Sequence, residues 1–204
     1  GPAQVVDVLR RLQSSPSYFS SWHTLFLLLV VVVLARGVNR GIERAARILL
    51  PLMVVLIAAL MLFSIQNGEM AKGFNYLFTM RKLTPQAWLD ALGHAFFTLS
   101  LGTGVMMAYG SYLDQKTSIA KTSITVGLMD TVVALVAGMA IFPIVFANGM
   151  EPSAGPGLIF VSLPMAFGSM SMGTLIGTLF FVLLVFAALT SAISLLEPSV
   201  EWLE

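Results

Sequence analysis

Apolar positions in this chain gather into long runs separated by short polar stretches. Five runs reach the about 20 mainly apolar residues that a membrane-crossing helix needs: 21–38, 43–65, 91–113, 120–146 and 172–196. The expected fold is all-α and polytopic, with 1–20 as a loop fragment ahead of a transmembrane region over 21–204. Five spans leave the two termini on opposite sides. Between Asn148 and Gly173 the run "GPGLIFVSLPMAFGSM" is broken by Pro164 and bounded by glycines. It is too short to cross and predicts a loop helix within 148–171 that caps the bundle.

Some positions within these runs predict local departures. Gly41 and Pro51 bracket the start of the second span, where proline removes a backbone hydrogen bond and glycine permits unwinding. Gly173 and Gly177 form a small-xxx-small pair, the mark of close helix packing. In the third span, "FFTLSLGTG" at 96–104 interrupts Thr98, Ser100 and Thr103 with Gly102 and Gly104 near the expected midplane. Two glycines there weaken the helix, which predicts two half-helices separated around Ser100 to Gly104.

Composition narrows the setting. The chain is 57% hydrophobic and only 10% charged, against about a quarter charged in soluble domains, so the solvent its surface fits is lipid. Net charge is +1 with the basic residues scattered over several loops, which excludes the concentrated positive field that nucleic acid requires. Cysteine is absent, removing disulfides, thiolate metal sites and Cys nucleophiles from consideration. No charged-then-apolar leader pattern occupies Gly1 to Ser20. The chain starts without Met and stops at Glu204 just after a hydrophobic helix, so it reads as an excerpt or processed piece. The cluster Arg36, Arg40, Arg44 and Arg47, with Lys116 and Lys121, places two loops on the cytoplasmic side and residues 1–20 outside. Trp22, Trp88 and Trp202 near span ends fit headgroup anchoring, and the twelve methionines fit gap filling between helices.

Candidate chemistry is sparse. Backbone freed from its ladder at membrane depth is tolerated only where protein or water receives it, so the break around Ser100 is a candidate cation and substrate site. For this span alone the plainer reading is that each hydroxyl bonds the carbonyl one turn back and the glycines pack. Asp130 shifts the balance. It lies some ten residues into the fourth span, about 15 Å deep at 1.5 Å per residue, and a carboxylate there costs about 2.5–3.5 kcal/mol on insertion scales. No Arg or Lys sits at comparable depth in the five runs. In "FAALTSAISLLEP", Thr190 and Ser191 with Ala187 one turn earlier offer two hydroxyls and a carbonyl, oxygen ligands that suit a hard cation. The two histidines, His23 and His94, lie on different spans. An intramembrane enzyme pairing Asp130 with His94 requires them within about 3 Å of each other. A non-catalytic assembly subunit whose polar residues only hold helices together is the other rival.

The segments "RGVNRGIERAARILLP" at 36–51, "FFTLSLGTGVMMAYGSY" at 96–112, "AGMAIFP" at 137–143 and "LTSAISLLEP" at 189–198 together resemble the neurotransmitter:sodium symporter family, in the order and spacing of its bacterial amino-acid branch. The resemblance implies a central fragment covering family spans four to eight of an inverted-repeat, leucine-transporter-like fold, with the third helix here broken; that family is a general example of broken helices around a midplane site. It implies sodium-coupled symport of a neutral, hydrophobic or aromatic amino acid by alternating access in the cell (inner) membrane. Thr98 and Asp130 would be ligands of one sodium. Ala187 through its carbonyl, with Thr190 and Ser191, would form part of a second. Phe97, Ser100, Thr103, Ser191 and Leu195 would line the substrate pocket, with Phe97 as its aromatic lid. Further sodium ligands and the holder of the substrate carboxylate belong to the family's first span, so both sites are half-built and the missing spans are partners. Thr103 stands where the family commonly has a bulky aromatic, and Asp130 where many relatives have asparagine. Ala134 stands where chloride-dependent relatives place serine, so chloride independence is expected.

Overall fold

A computed structural model describes residues 7, 10, 11, 14–37, 41–80, 82–152, 157–170 and 172–203. Arg40 of the arginine cluster lies outside the described residues, as does part of the 148–171 loop. The described elements are helices α1 (Pro16–Leu34), α2 (Glu43–Asn67), α3 (Met70–Phe78), α4 (Pro85–Thr98), α5 (Val105–Ser111), α6 (Ile119–Ala147), α7 (Leu163–Ser169) and α8 (Gly173–Leu203). A wide π-type turn, Leu158–Ser162, leads into α7. No strand occurs among the described residues.

Four helices, α1, α2, α6 and α8, are long and apolar enough to cross a membrane. Their lengths of 19, 25, 29 and 31 residues correspond to about 28–46 Å at 1.5 Å per residue, against a hydrocarbon core of about 30 Å. Along them large side chains face outward, Val54 and Val55 each 62% exposed and Leu28 55%; this pattern is unfavourable in water and neutral in lipid.

Helix ends follow their capping chemistry. Pro16 and Pro85 occupy the first turn of α1 and α4, where the missing N–H is no loss. The Thr84 hydroxyl accepts from the Ala87 N–H at 3.2 Å, and the Ser118 hydroxyl accepts from the Lys121 N–H at 3.4 Å.

Two cores hold the bundle. Leu60 of α2, Ala140, Ile144 and Val145 of α6, Leu163 and Phe167 of α7 and Phe180 of α8 form the larger; Val30 and Leu34 of α1 pack with Ile193 of α8 in the smaller. The tightest junction is at Pro143. Proline lacks an N–H, so the carbonyl of Met139 one turn back loses its helical donor; the buried Ser64 hydroxyl of α2 supplies one instead, at 3.2 Å. The Glu69 N–H donates to the Pro143 carbonyl at 2.9 Å. A Cβ on Gly73 would stand 2.5 Å from the Pro143 ring, and one on Gly68 2.8 Å from its Cβ, so only glycine lets the α2–α3 corner close on α6.

The helix through Pro51 continues unbroken, with Gly41 and Ile42 in a π-type turn at its start. Among the described residues the backbone is therefore helical at both Gly41 and Pro51, and the expected unwinding is not seen at either. Gly173 and Gly177 do lie against Phe167, at 1.6 Å from its carbonyl oxygen and 3.4 Å from its ring for a would-be Cβ.

Candidate functional site

The third apolar run forms two half-helices, α4 and α5, with 99–104 between them. Its local geometry explains why the helix stops. Leu99 caps α4, and Ser100 follows in the left-handed region at φ 52°. The Ser100 N–H donates to the Phe97 carbonyl at 3.1 Å and the Leu101 N–H to the Phe96 carbonyl at 2.9 Å. This pair of bonds is the Schellman arrangement, normally built on glycine. Gly102 and Gly104 then take φ 84° and 86°, a region that costs any side chain about 1–2 kcal/mol, and Gly104 starts α5. Among the described residues no backbone N–H closes onto the carbonyls of Thr98 or Leu99, which leaves oxygen lone pairs at the end of α4.

The two halves are held differently. On α5, Val105 and Ala108 are buried against α8, and a polar seam runs beside them. The Tyr109 and Ser194 hydroxyls are 2.8 Å apart. The Tyr112 hydroxyl donates to the Glu197 carboxylate at 2.7 Å, and the Ser111 hydroxyl donates to Glu201 at 3.0 Å. Glu197 is 5% exposed, so its carboxyl group is shielded from water and the tyrosine satisfies one of its lone pairs. The sequence pattern did not single out these seam residues. By contrast α4 has no buried residue.

Each candidate residue has a definite place. Phe97, 84% exposed, and Thr98 end α4, the Thr98 hydroxyl donating weakly to the Ala95 carbonyl at 3.5 Å. Ser100 and Thr103 sit in the break, where the Thr103 hydroxyl donates to the Ser100 carbonyl at 2.8 Å. On α8 the Thr190 hydroxyl donates to the carbonyls of Phe186 and Ala187, at 3.1 and 3.0 Å; a hydroxyl that donates its proton still offers lone pairs to a cation. Ser191 and Leu195 are exposed on the side of α8 that carries Ser194 and Pro198, the two residues touching α5 at Tyr109 and Gly104. Asp130 is half-buried in the body of α6, and among the described residues no hydrogen bond or ion pair reaches its carboxylate. Among the described residues no hydrogen bond or ion pair joins Asp130 to Thr98 or to His94. An open apolar groove of about 730 Å³ between α7 and α8 ends at Phe186, the residue before Ala187, and contains none of the candidates.

The faces of α4 are unlike one another. At 100° per residue, Gln86, Asp90, Gly93, His94, Phe97 and Thr98 fall on one arc, and Trp88, Leu89, Leu92 and Phe96 on the opposite one. The polar arc, in which the Gln86 amide donates to Asp90 at 2.8 Å, leads from the N-terminal end of α4 to the break.

Four membrane-length apolar helices and a helix broken in two, with no strand among the described residues, define a multi-pass membrane protein. The sequence pattern of the sodium:neurotransmitter symporter family matches residues 13–203, and the chain belongs to that family. It is 43% identical over 174 residues to an uncharacterized sodium-dependent transporter, YhdH, of Bacillus subtilis, covering 84% of this chain and 39% of that protein. It is 34% identical over 193 residues to an uncharacterized sodium-dependent transporter of Haemophilus influenzae, covering 94% and 42% respectively. With the sodium- and chloride-dependent taurine transporter of Rattus norvegicus it shares 31% identity over 132 residues, 61% of this chain and 21% of that protein. The chain thus spans about two fifths of the length of the first two relatives. Its family is one of sodium-coupled transporters and not of enzymes.

Proposed function

We propose that this chain is the central part of a sodium-coupled symporter for a neutral amino acid, working by alternating access in the cell membrane. The observation that carries the reading is the break at 99–104, whose free Thr98 and Leu99 carbonyls lie beside the hydroxyls of Thr98, Ser100 and Thr103. In this reading Thr98 and Asp130 share one sodium, and Ala187, Thr190 and Ser191 contribute to a second. Phe97, Ser100, Thr103, Ser191 and Leu195 line the substrate pocket. None of those five carries a charge, and an unpaired charge is costly in a dry site, so the substrate side chain is neutral; the small Thr103 leaves room for a large one. The polar arc of α4 supports a hydrated approach from its outer end, because ionisable residues on a membrane helix face protein or water and not lipid. Sodium-dependent binding of radiolabelled amino acids to the complete protein tests the reading: leucine, tyrosine or tryptophan should compete and glutamate or lysine should not. Preference for a charged amino acid rejects the pocket.

Asp130 is proposed as the fixed negative charge that takes chloride's place. Opposite unit charges about 4 Å apart interact by about 4 kcal/mol at an effective dielectric near 20, enough to make the carboxylate a strong part of the sodium site. Uptake by the complete protein is expected to be equal in sodium chloride and sodium gluconate. Asp130→Asn should weaken sodium binding, and adding Ala134→Ser should restore uptake only with chloride present, since serine supplies the anion a hydroxyl donor. Wild-type uptake that needs chloride, or an unchanged sodium affinity in Asp130→Asn, rejects the assignment.

A further inference from the structure

Away from the break, the nine-residue helix α3, Met70–Phe78, has an unusual position. Two residues separate it from the end of α2, a span of 25 residues, or about 37 Å, which already exceeds the hydrocarbon core. It lies on the end of α6: Gly73 packs on Pro143, a Cβ on Gly138 would stand 3.2 Å from the Leu77 side chain, and the Tyr76 ring packs at a tilt on Phe142 and edge-on to Phe146, with ring centroids 4.7 and 5.6 Å away. Those residues belong to the last ten of α6, so α3 sits within about 14 Å of the end of that span, at the level where core gives way to headgroups.

Three faces run along this short helix. Gly73, Tyr76 and Leu77 face α6. Phe74 and Phe78 form a second flank, their rings 4.6 Å apart and their side chains 52% and 46% exposed. Lys72 and Asn75 form the third, with Lys72 paired to Glu69 at 2.6 Å, its side chain 63% exposed. Beyond α3, Met80, Leu83 and Trp88 are also exposed apolar residues, at 97%, 77% and 65%. A bilayer boundary provides hydrocarbon for one flank and water for the other within a few ångströms.

We propose that α3 is an interfacial anchor: Phe74 and Phe78 insert into the outer leaflet, continuous with the lipid-facing surface of the adjoining spans, while Lys72 and Asn75 face the headgroups. The inference rests on the membrane-protein reading and is independent of which solute is carried. Its test is nitroxide labelling of the complete protein in liposomes, one cysteine at a time at residues 72, 74, 75 and 78. Labels at 74 and 78 should collide preferentially with oxygen, which concentrates in lipid, and labels at 72 and 75 with a water-soluble nickel chelate. The ratio of the two accessibilities should differ severalfold between flanks. Two positions per flank keep the result readable where one labelled variant does not fold. Nickel access at 74 and 78 equal to that at 75 places the flank in water and overturns the proposal. Protection of 74 and 78 from both reagents means that protein covers the flank, and overturns it as well. Failure of amino-acid binding would leave this labelling pattern unchanged, so the two readings fall separately.

Discussion

The two halves of the broken helix differ in what holds them, although they share one apolar run. α5 has seven residues, yet it buries Val105 and Ala108 and reaches α8 through Tyr109, Ser111 and Tyr112. α4 has fourteen residues and buries none. It carries Phe97 and Thr98 at its end and a polar arc along its side. Burial and candidate chemistry are therefore divided between the halves: α5 is fixed to α8, and α4 presents its groups with little packed against them. Within this chain, which spans about two fifths of its relatives' length, α4 is the half with the fewest buried contacts. The glycines and the left-handed serine between them separate the two roles.

The largest expected effect comes from cutting the fixed half. Glu197→Ala would remove the buried acceptor of the Tyr112 hydroxyl, whose own residue is 38% exposed, at a cost of about 1–1.5 kcal/mol, the net worth of a hydrogen bond. The complete protein in detergent should lose several degrees in melting temperature. Glu197→Gln keeps an acceptor oxygen and should stay near wild type. Equal losses in both variants would mean that the carboxylate charge, and not the hydrogen bond, holds α5.

A smaller effect is expected at the junction itself. Ser100 sits at φ 52° in the position that a Schellman cap normally gives to glycine. Ser100→Gly should relieve that conformation, a gain that the greater freedom of glycine in the unfolded chain partly offsets. A rise in melting temperature equivalent to about 0.5–1 kcal/mol is expected, and a fall would show that the Ser100 side chain contributes more than its backbone strain costs.

Much of this division was legible in the sequence, for physical reasons that can be named. The break was legible because Gly102 and Gly104 interrupt hydroxyl residues at span depth. Membrane character followed from runs that no water-facing surface could accommodate. The start of α4 was not placed: hydropathy alone begins that span near residue 91, whereas Thr84 as cap and Pro85 in the first turn begin the helix six residues earlier. α3 was not legible as a span because its nine residues fall far short of the about 20 that a crossing helix needs. The seam on α8 was hidden because Glu197, next to a proline near a span end, reads as a terminal polar residue, and its partner Tyr112 is 85 positions away. The spatial relation of Thr98 to Asp130 is likewise a long-range property that no spacing rule supplies.

The smallest effect on stability should accompany a large one on binding. The Thr98 hydroxyl is exposed, and its bond to the Ala95 carbonyl is long at 3.5 Å. Thr98→Val preserves shape and removes only the oxygen, so stability should change by no more than about 0.5 kcal/mol, the range usual for surface substitutions. If that oxygen is a sodium ligand, apparent sodium affinity should fall about tenfold, equivalent to about 1.4 kcal/mol. The complete protein gives both numbers, one from thermal melting and the other from sodium titration of amino-acid binding. A loss of stability with unchanged sodium affinity would place Thr98 among the structural hydroxyls and move the sodium site off α4. A loss of affinity at constant stability would separate the two half-helices by role, because no α5 seam residue can lose its hydroxyl without disturbing the contact to α8.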